Sequence, residues 1–153
     1  MTLAPMTAAR RAALADTILA SAGDAILYCD RDGLIRFWNP GAERIFGFSA
    51  EEALGRSLDM IIPEAQRARH WHGFQRVMAS GHTHYAEGDL LAVPALRQDG
   101  RRISVEFTIM PMRGPDGRMD GMAAVMRDVT ERFEALRDAR RRLKEAQKAD
   151  EQP

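Results

Sequence analysis

The sequence predicts an α+β domain built on an antiparallel sheet, and three observations carry that prediction. Hydrophobic periodicity changes along the chain, from the 3.6-residue repeat of amphipathic helices to short apolar runs bounded by turns. Two of those turns, Asp32-Gly33 and Asp99-Gly100, are hairpin dipeptides, because glycine accepts the positive φ that the turn requires. The elements then fall in the order helix, two strands, short helices, one long helix, three strands, which is the order of an α+β fold.

Each element has a local cause. Residues 7–22 read as a helix, with Leu14, Ile18 and Leu19 on one stripe among alanines, arginines and an aspartate. Residues 25–30 form a short apolar strand and residues 34–38 its hairpin partner. Asn39-Pro40 starts a short helix, since asparagine caps free amides and proline at the first helical position forfeits no needed donor. That helix runs through Phe46 to Gly47, and Ser49-Ala50-Glu51-Glu52 is a capping box for another that stops at Gly55. Pro63 and Glu64 open the longest internal helix, which reaches about Ser80 before Gly81. Residues 85–96 and 101–112 are strand-like around the second hairpin turn. Gly114-Pro115-Asp116-Gly117 turns the chain into a last strand at 121–127. Residues 128–152 form a charged helix with Val129, Phe133, Leu136 and Leu143 at heptad-like spacing, interrupted by Arg140.

Composition narrows the function. The 153 residues suit one domain, and such a chain buries roughly 70% of its unfolded surface, enough for a core with room for a small ligand. Apolar residues at 45% and charged residues at 29% exclude disorder as the default. The 22 basic residues balance 22 acidic ones, so no electrostatic footprint argues for nucleic acid or an anionic membrane. The single cysteine, Cys29, forms neither an internal disulfide nor a cysteine-rich zinc site, which suits a reducing cytoplasm. The longest apolar runs, such as 122–126, fall far short of the ~18–20 residues of a membrane span. Arg10 and Arg11 precede an alanine-rich stretch, but Asp16 and Thr17 interrupt it, so it reads as an amphipathic helix and not as a targeting signal.

Several motifs in succession resemble one family. Trp38-Asn39-Pro40-Gly41-Ala42-Glu43-Arg44-Ile45-Phe46-Gly47, then Glu52-Ala53-Leu54-Gly55, is similar to the first half of a PAS domain. Arg97-Gln98-Asp99-Gly100 with Ile103-Ser104-Val105-Glu106, and Arg127-Asp128-Val129-Thr130-Glu131-Arg132, are similar to its second half. The resemblance covers about residues 14 to 132. It implies a five-stranded antiparallel sheet in the order 2-1-5-4-3, helices on one face enclosing a ligand pocket, and a sensory or dimerising role in signal transduction. The division that follows is an N-terminal amphipathic helix at 1–22, a PAS domain at 23–130 and a charged helix or linker at 131–153.

Signatures of catalysis are missing: there is no G-x-S-x-G elbow, P-loop, H-E-x-x-H helix or kinase motif, so no enzyme is expected. The flavin-photosensing PAS class uses a cysteine where this chain has Leu58, in Gly55-Arg56-Ser57-Leu58, so no covalent flavin is expected. Of the four histidines, His70 and His72 on a helix point about 200° apart and cannot clasp one ion. His82 and His84 share a side if extended, but no third ligand is evident beside them.

His70 stands apart. Arg67, His70, Trp71, Phe74, Val77 and Met78 fall within about 120° on the long helix, while Ala68, His72, Gln75 and Ala79 face away. Pro63-Glu64-Ala65-Gln66-Arg67-Ala68-Arg69-His70 is similar to the helix that bears the proximal histidine in oxygen-sensing haem PAS domains. That resemblance makes His70 an axial ligand of haem b, with Trp71, Phe74 and Met78 lining the site and His84 and Tyr85 near the propionates. It also sets Leu91 where one haem class has an oxygen-contacting arginine, and Asp89 where another has a methionine ligand, while Gly88 keeps the family's small residue. The other reading of His70 is packing alone, as in haem-free PAS domains with the same Arg-x-x-His. Met60, Met78, Met110, Met112, Met122 and Met126 read as core or as the lining of an adaptable apolar pocket.

Two functions follow. One is a cytoplasmic sensor that binds a small ligand or cofactor, haem among them, and relays it through dimer or partner contacts. The other is a ligand-free PAS scaffold for protein–protein interaction. Homodimerisation is expected through the terminal helices, whose stripes otherwise pack on their own domain or stay in water.

Overall fold

Two hairpin turns and one buried asparagine set the architecture. The computed structural model describes residues 5–21, 23–83 and 90–150. Its strands are β1 (Ala25–Asp30), β2 (Ile35–Trp38), β3 (Leu91–Leu96), β4 (Arg102–Arg113) and β5 (Met119–Asp128). Every pairing is antiparallel, and the order is β2-β1-β5-β4-β3, as the resemblance implied. At the first turn the Asp30 carboxylate accepts the amides of Asp32 and Leu34 at 3.0 Å each, and Gly33 supplies a φ of 76°.

The pleat sorts side chains by parity. Ala25, Leu27 and Cys29 of β1, Ile103 and Val105 of β4, and Met122 and Ala124 of β5 face the core. That face is covered by α2 (Pro40–Phe46), α3 (Ala50–Ala53), a 3-10 turn (Leu58–Ile61) and α4 (Glu64–Ser80). Met110 and Met112 correct the expectation of pocket methionines. They have the parity opposite to Phe107 and Ile109, pair with Ala123 and Gly121, and are exposed on the outer face. Met60, Met78 and Met126 pack against the core as expected, and Met122 lies in it.

Asn39 joins the helical layer to the sheet. It is 1% exposed, and its amide makes four hydrogen bonds. Nδ2 donates to the carbonyls of Ser21 (2.8 Å) and Asp24 (3.0 Å), while Oδ1 accepts from the amides of Ile26 (2.7 Å) and Ala42 (2.8 Å). The last of these caps α2. The capping box of α3 forms as read, with Ser49 and Glu52 bonded reciprocally. The β3–β4 hairpin docks on the end of α2, where Arg97 Nη1 donates to the Ile45 carbonyl (2.6 Å) and the Gln98 amide to that of Phe46 (2.8 Å).

The ends differ from the sequence reading by a few residues. The first helix, α1 (Ala8–Leu19), stops short because the Ser21 carbonyl is taken by Asn39 and by the Gly41 amide. β5 starts at Met119, earlier than read, since a register shift at Arg113 pairs that residue with Met119. The expected strand at 85–96 is observed from Leu91, and residues 84–89 lie outside the described residues. The last helix, α5 (Thr130–Asp150), begins where the Asp128 carboxylate accepts the Thr130 amide at 2.9 Å. α1 and α5 leave the same end of the sheet, where Ala25 pairs with Met126 and Arg127 grips the Asp24 carboxylate with two bonds of 2.8 Å. Their apolar stripes do not pack on the domain: Leu14, Ile18, Phe133, Leu136 and Leu143 are all exposed.

Candidate functional site

The helix α4 presents the face that its sequence spacing requires. Phe74 and Val77 are buried and Arg67, His70, Trp71 and Met78 half-buried, whereas Ala68, His72, Gln75 and Ala79 are exposed. The site therefore begins from a helix with one apolar stripe, of which His70 is the central polar member.

Trp71 and Arg67 fix that helix in phase. The indole Nε1 donates to Asp59 Oδ1 at 2.7 Å, and Arg67 donates to the carbonyls of Asp59 (3.2 Å) and Ile62 (3.1 Å). The far edge of the indole rests on the first hairpin, so a Cβ on Gly33 would lie 2.2 Å from the ring. Trp71 thus ties the 3-10 turn, α4 and the β1–β2 hairpin together. Asp59 and Gly33 were not singled out as site residues from sequence. The available signal is that Arg67 and Trp71, one helical turn apart, are two donors on an apolar face and need an acceptor.

His70 lies against this frame. Its ring meets Trp71 edge-on, at a centroid distance of 4.7 Å and an interplanar angle of 80°, and is tilted by 31° to Phe74 at 6.2 Å. Its Nδ1 is shielded from solvent and has no hydrogen-bond partner among the described residues. Burial pushes the pKa below its ordinary 6.5, with the charge of Asp59 opposing, so the imidazole is neutral at pH 7. A shielded nitrogen without a partner costs about 1–3 kcal/mol. A ligand offering a hydrogen bond or a metal to the ring would recover that cost, since neutral imidazole is the commonest metal-binding side chain.

The other expected site residues divide. Leu91 opens β3, half-buried and opposite Phe107, and brings no hydrogen-bond donor. His84 and Tyr85 lie outside the described residues. Cys29 is a buried small hydrophobe, as read. Its thiol is pushed up to about 11 by burial and donates weakly to the Met122 carbonyl at 3.5 Å. Leu58 is buried in the 3-10 turn.

A second kind of surface lies on the other side of the sheet. An open groove of about 620 Å³ runs between α5 and the outer face of β3 and β4, bounded by Pro94, Ser104, Glu106, Phe133, Leu136 and Arg137. Another, of about 500 Å³, lies along α5 itself.

A sheet of this order, banked by helices on one face and carrying α1 and α5 at one end of the neighbouring strands β1 and β5, defines an α+β module. The chain belongs to the PAS family: the family's model, described as the PAS fold, matches residues 19–134. It is 30% identical over 115 residues to the Sensor protein FixL of Bradyrhizobium diazoefficiens, covering 75% of this chain and 22% of that one. It is 29% identical over 143 residues to the Cell-division control histidine kinase PdhS of Brucella abortus, covering 89% and 13%. Among solved structures, the PAS domain of a Colwellia psychrerythraea protein superimposes with a TM-score of 0.68 at 22% identity, over 79% of this chain and 98% of that one. An RNA-binding Light-Oxygen-Voltage Receptor superimposes with a TM-score of 0.69 at 24% identity, over 98% and 43%. The chain spans less than a quarter of the length of either curated relative.

Proposed function

We propose that this PAS module is a cytoplasmic, non-catalytic sensor in which a small ligand meets His70 and the terminal helices carry the response. The observation that carries this reading is the shielded Nδ1 of His70, left without a partner among Trp71, Phe74 and Met78 on the core-facing side of α4. The ligand class we assign is haem b. His70 offers the neutral, half-buried imidazole that an iron ligand requires, beside aromatic rings that suit a flat apolar macrocycle. When bound, haem supplies gas or redox chemistry at its iron. The chain's part is to hold the imidazole neutral and fixed in direction through the Trp71–Asp59 bond. Leu58 leaves no sulfur for a covalent flavin.

Relay follows from differential affinity, since a ligand shifts only an equilibrium whose two states it binds unequally. Pairing of α1 with the α1 of a second copy would remove Leu14, Ile18 and Leu19 from water.

The test is an absorption spectrum of the whole chain, purified and after haem reconstitution. A Soret band is expected in the wild type, lost in His70→Ala and retained in His72→Ala. Absence of the band from both wild-type samples removes haem. If native mass spectrometry also finds no stoichiometric small molecule, the sensor reading fails and the ligand-free scaffold takes its place. That second reading is favoured by the exposed apolar stripes of α1 and α5, which suit a module used for its contacts alone.

A further inference from the structure

We propose that α5 is a docking helix for an acidic amphipathic helix of a partner protein, and that its charge pattern rejects a second copy of itself. This deepens the output half of the sensor reading by naming the partner's chemistry. It is independent of what binds at His70.

At about 100° per residue, Val129, Phe133, Leu136, Arg140 and Leu143 fall within about 80° of one another, at alternating spacings of four and three. Such a narrow seam fits a second helix. A helix lying in a membrane surface carries a broader apolar face, without an arginine in its middle. The seam is accessible: Phe133, Leu136 and Leu143 are 54%, 52% and 60% exposed, and the groove along α5 is bounded by Phe133 and Leu136 on one part and on another by the basic residues Arg137, Arg140, Arg141, Lys144 and Lys148 with the carboxylate of Glu145.

Charge then selects the occupant. Arg140 sits within the seam, and Arg137, Lys144 and Lys148 border one side of it. Glu131, Glu134, Asp138 and Glu145 lie about 140–180° from its centre. Arg132, on the other border, is already paired with Glu106 of the sheet, and Arg141 with Asp138 at 3.7 Å. Among the described residues, no carboxylate is within ion-pair distance of Arg137, Arg140, Lys144 or Lys148. In a parallel self-pair, Arg140 would face its own copy and Arg137 would face Arg132; an antiparallel pair would bring the Arg137–Lys144 borders together. Like charges at these flanking positions disfavour a pairing, and opposite charges select it. A partner helix with leucines in its seam and glutamates along its borders satisfies both the apolar and the charged rows.

The test uses the whole chain and two labelled helical peptides as long as α5. Both carry leucine at the seam, one with glutamate and the other with lysine at the flanking positions. Anisotropy is expected to show the glutamate peptide binding at least about tenfold tighter, with affinity falling as salt rises. The double substitution Arg137→Glu, Lys144→Glu should reverse that preference without altering the circular dichroism. Equal binding of the two peptides, or failure of both to bind at high micromolar concentration, overturns the proposal. So does tighter binding to phosphatidylserine vesicles or to single-stranded RNA. A dimer in sedimentation that Leu136→Ser dissociates would assign the seam to a second copy and also overturn it. The haem spectrum is unaffected by any of these results, so each half of the reading fails separately.

Discussion

The helices α4 and α5, of 17 and 21 residues, are both amphipathic and meet opposite fates. α4 turns its stripe onto the core, where Phe74 is 6% exposed and Trp71 is tied to Asp59. α5 turns its stripe to water, where Phe133 is 54% exposed. Periodicity specifies a stripe but not what covers it. Cover comes from position: α4 is held between the 3-10 turn and β5 on the inner face, whereas α5 is anchored to β4 at its first turn, through Ser104 and the Arg132–Glu106 pair, and its later turns run on past the sheet.

The same substitution on the two helices breaks this comparison most directly. Phe74→Ala should cost about 3–4 kcal/mol, because it removes a buried ring and leaves a cavity. Phe133→Ala should stay within about 0.5 kcal/mol. Urea unfolding of the two variants measures the contrast, and equal losses would mean that α5 packs on the domain in solution.

The next effect tests how α4 is tied down. Gly33→Ala imposes a side chain on a φ of 76° and drives its Cβ into the Trp71 ring. A loss of about 2 kcal/mol is expected, together with a change in Trp71 fluorescence as the indole gives way. A stable variant with unchanged fluorescence would separate Trp71 from the hairpin.

A smaller effect belongs to His70. Its pKa in the folded chain lies below 6.5, while in the unfolded chain it is near that value. On acidification the unfolded chain takes up the proton first. Stability is therefore full above pH 6.5 and declines as pH falls toward the folded-state value. His70→Asn should flatten the decline that sets in as pH falls below 6.5, as read by urea midpoints. A decline of the same size in the variant would place its origin elsewhere.

The smallest effect lies at the junction of α1 and α5. The Arg127 guanidinium bonded to Asp24 holds that carboxyl below its ordinary 3.8, although burial opposes this. The pair's contribution is present above pH 3.8 and is lost as pH falls through the folded-state value. Because Arg127 is largely exposed, salt screens the pair, and Arg127→Ala should shift the acid midpoint only slightly upward. A large shift would show that the two helix bases depend on this pair.

Much of the fold was legible because its signals are local. Asp32-Gly33, Asn39-Pro40 and the Ser49–Glu52 box each act within four residues, through a φ value or a cap, and each forms as read. The phase of α4 was legible for a related reason: a helix repeats its geometry, so Arg67, His70, Trp71 and Phe74 share a face wherever the helix packs.

By itself, then, the sequence determined the main helices and strands, the caps at Asn39 and Ser49, the face of α4 and the seam of α5, but not the 3-10 turn at Leu58–Ile61. Only tertiary structure decided that Asp59 receives Trp71 and that Gly33 lies under the indole. It also decided that Met110 and Met112 face outward and that Asn39 binds Ser21 and Asp24 across 18 and 15 residues. The physical reason is range. Dihedral preference and periodicity act along a few residues of chain, whereas an acceptor for a buried donor, or cover for an apolar stripe, comes from whichever strand the sheet brings alongside.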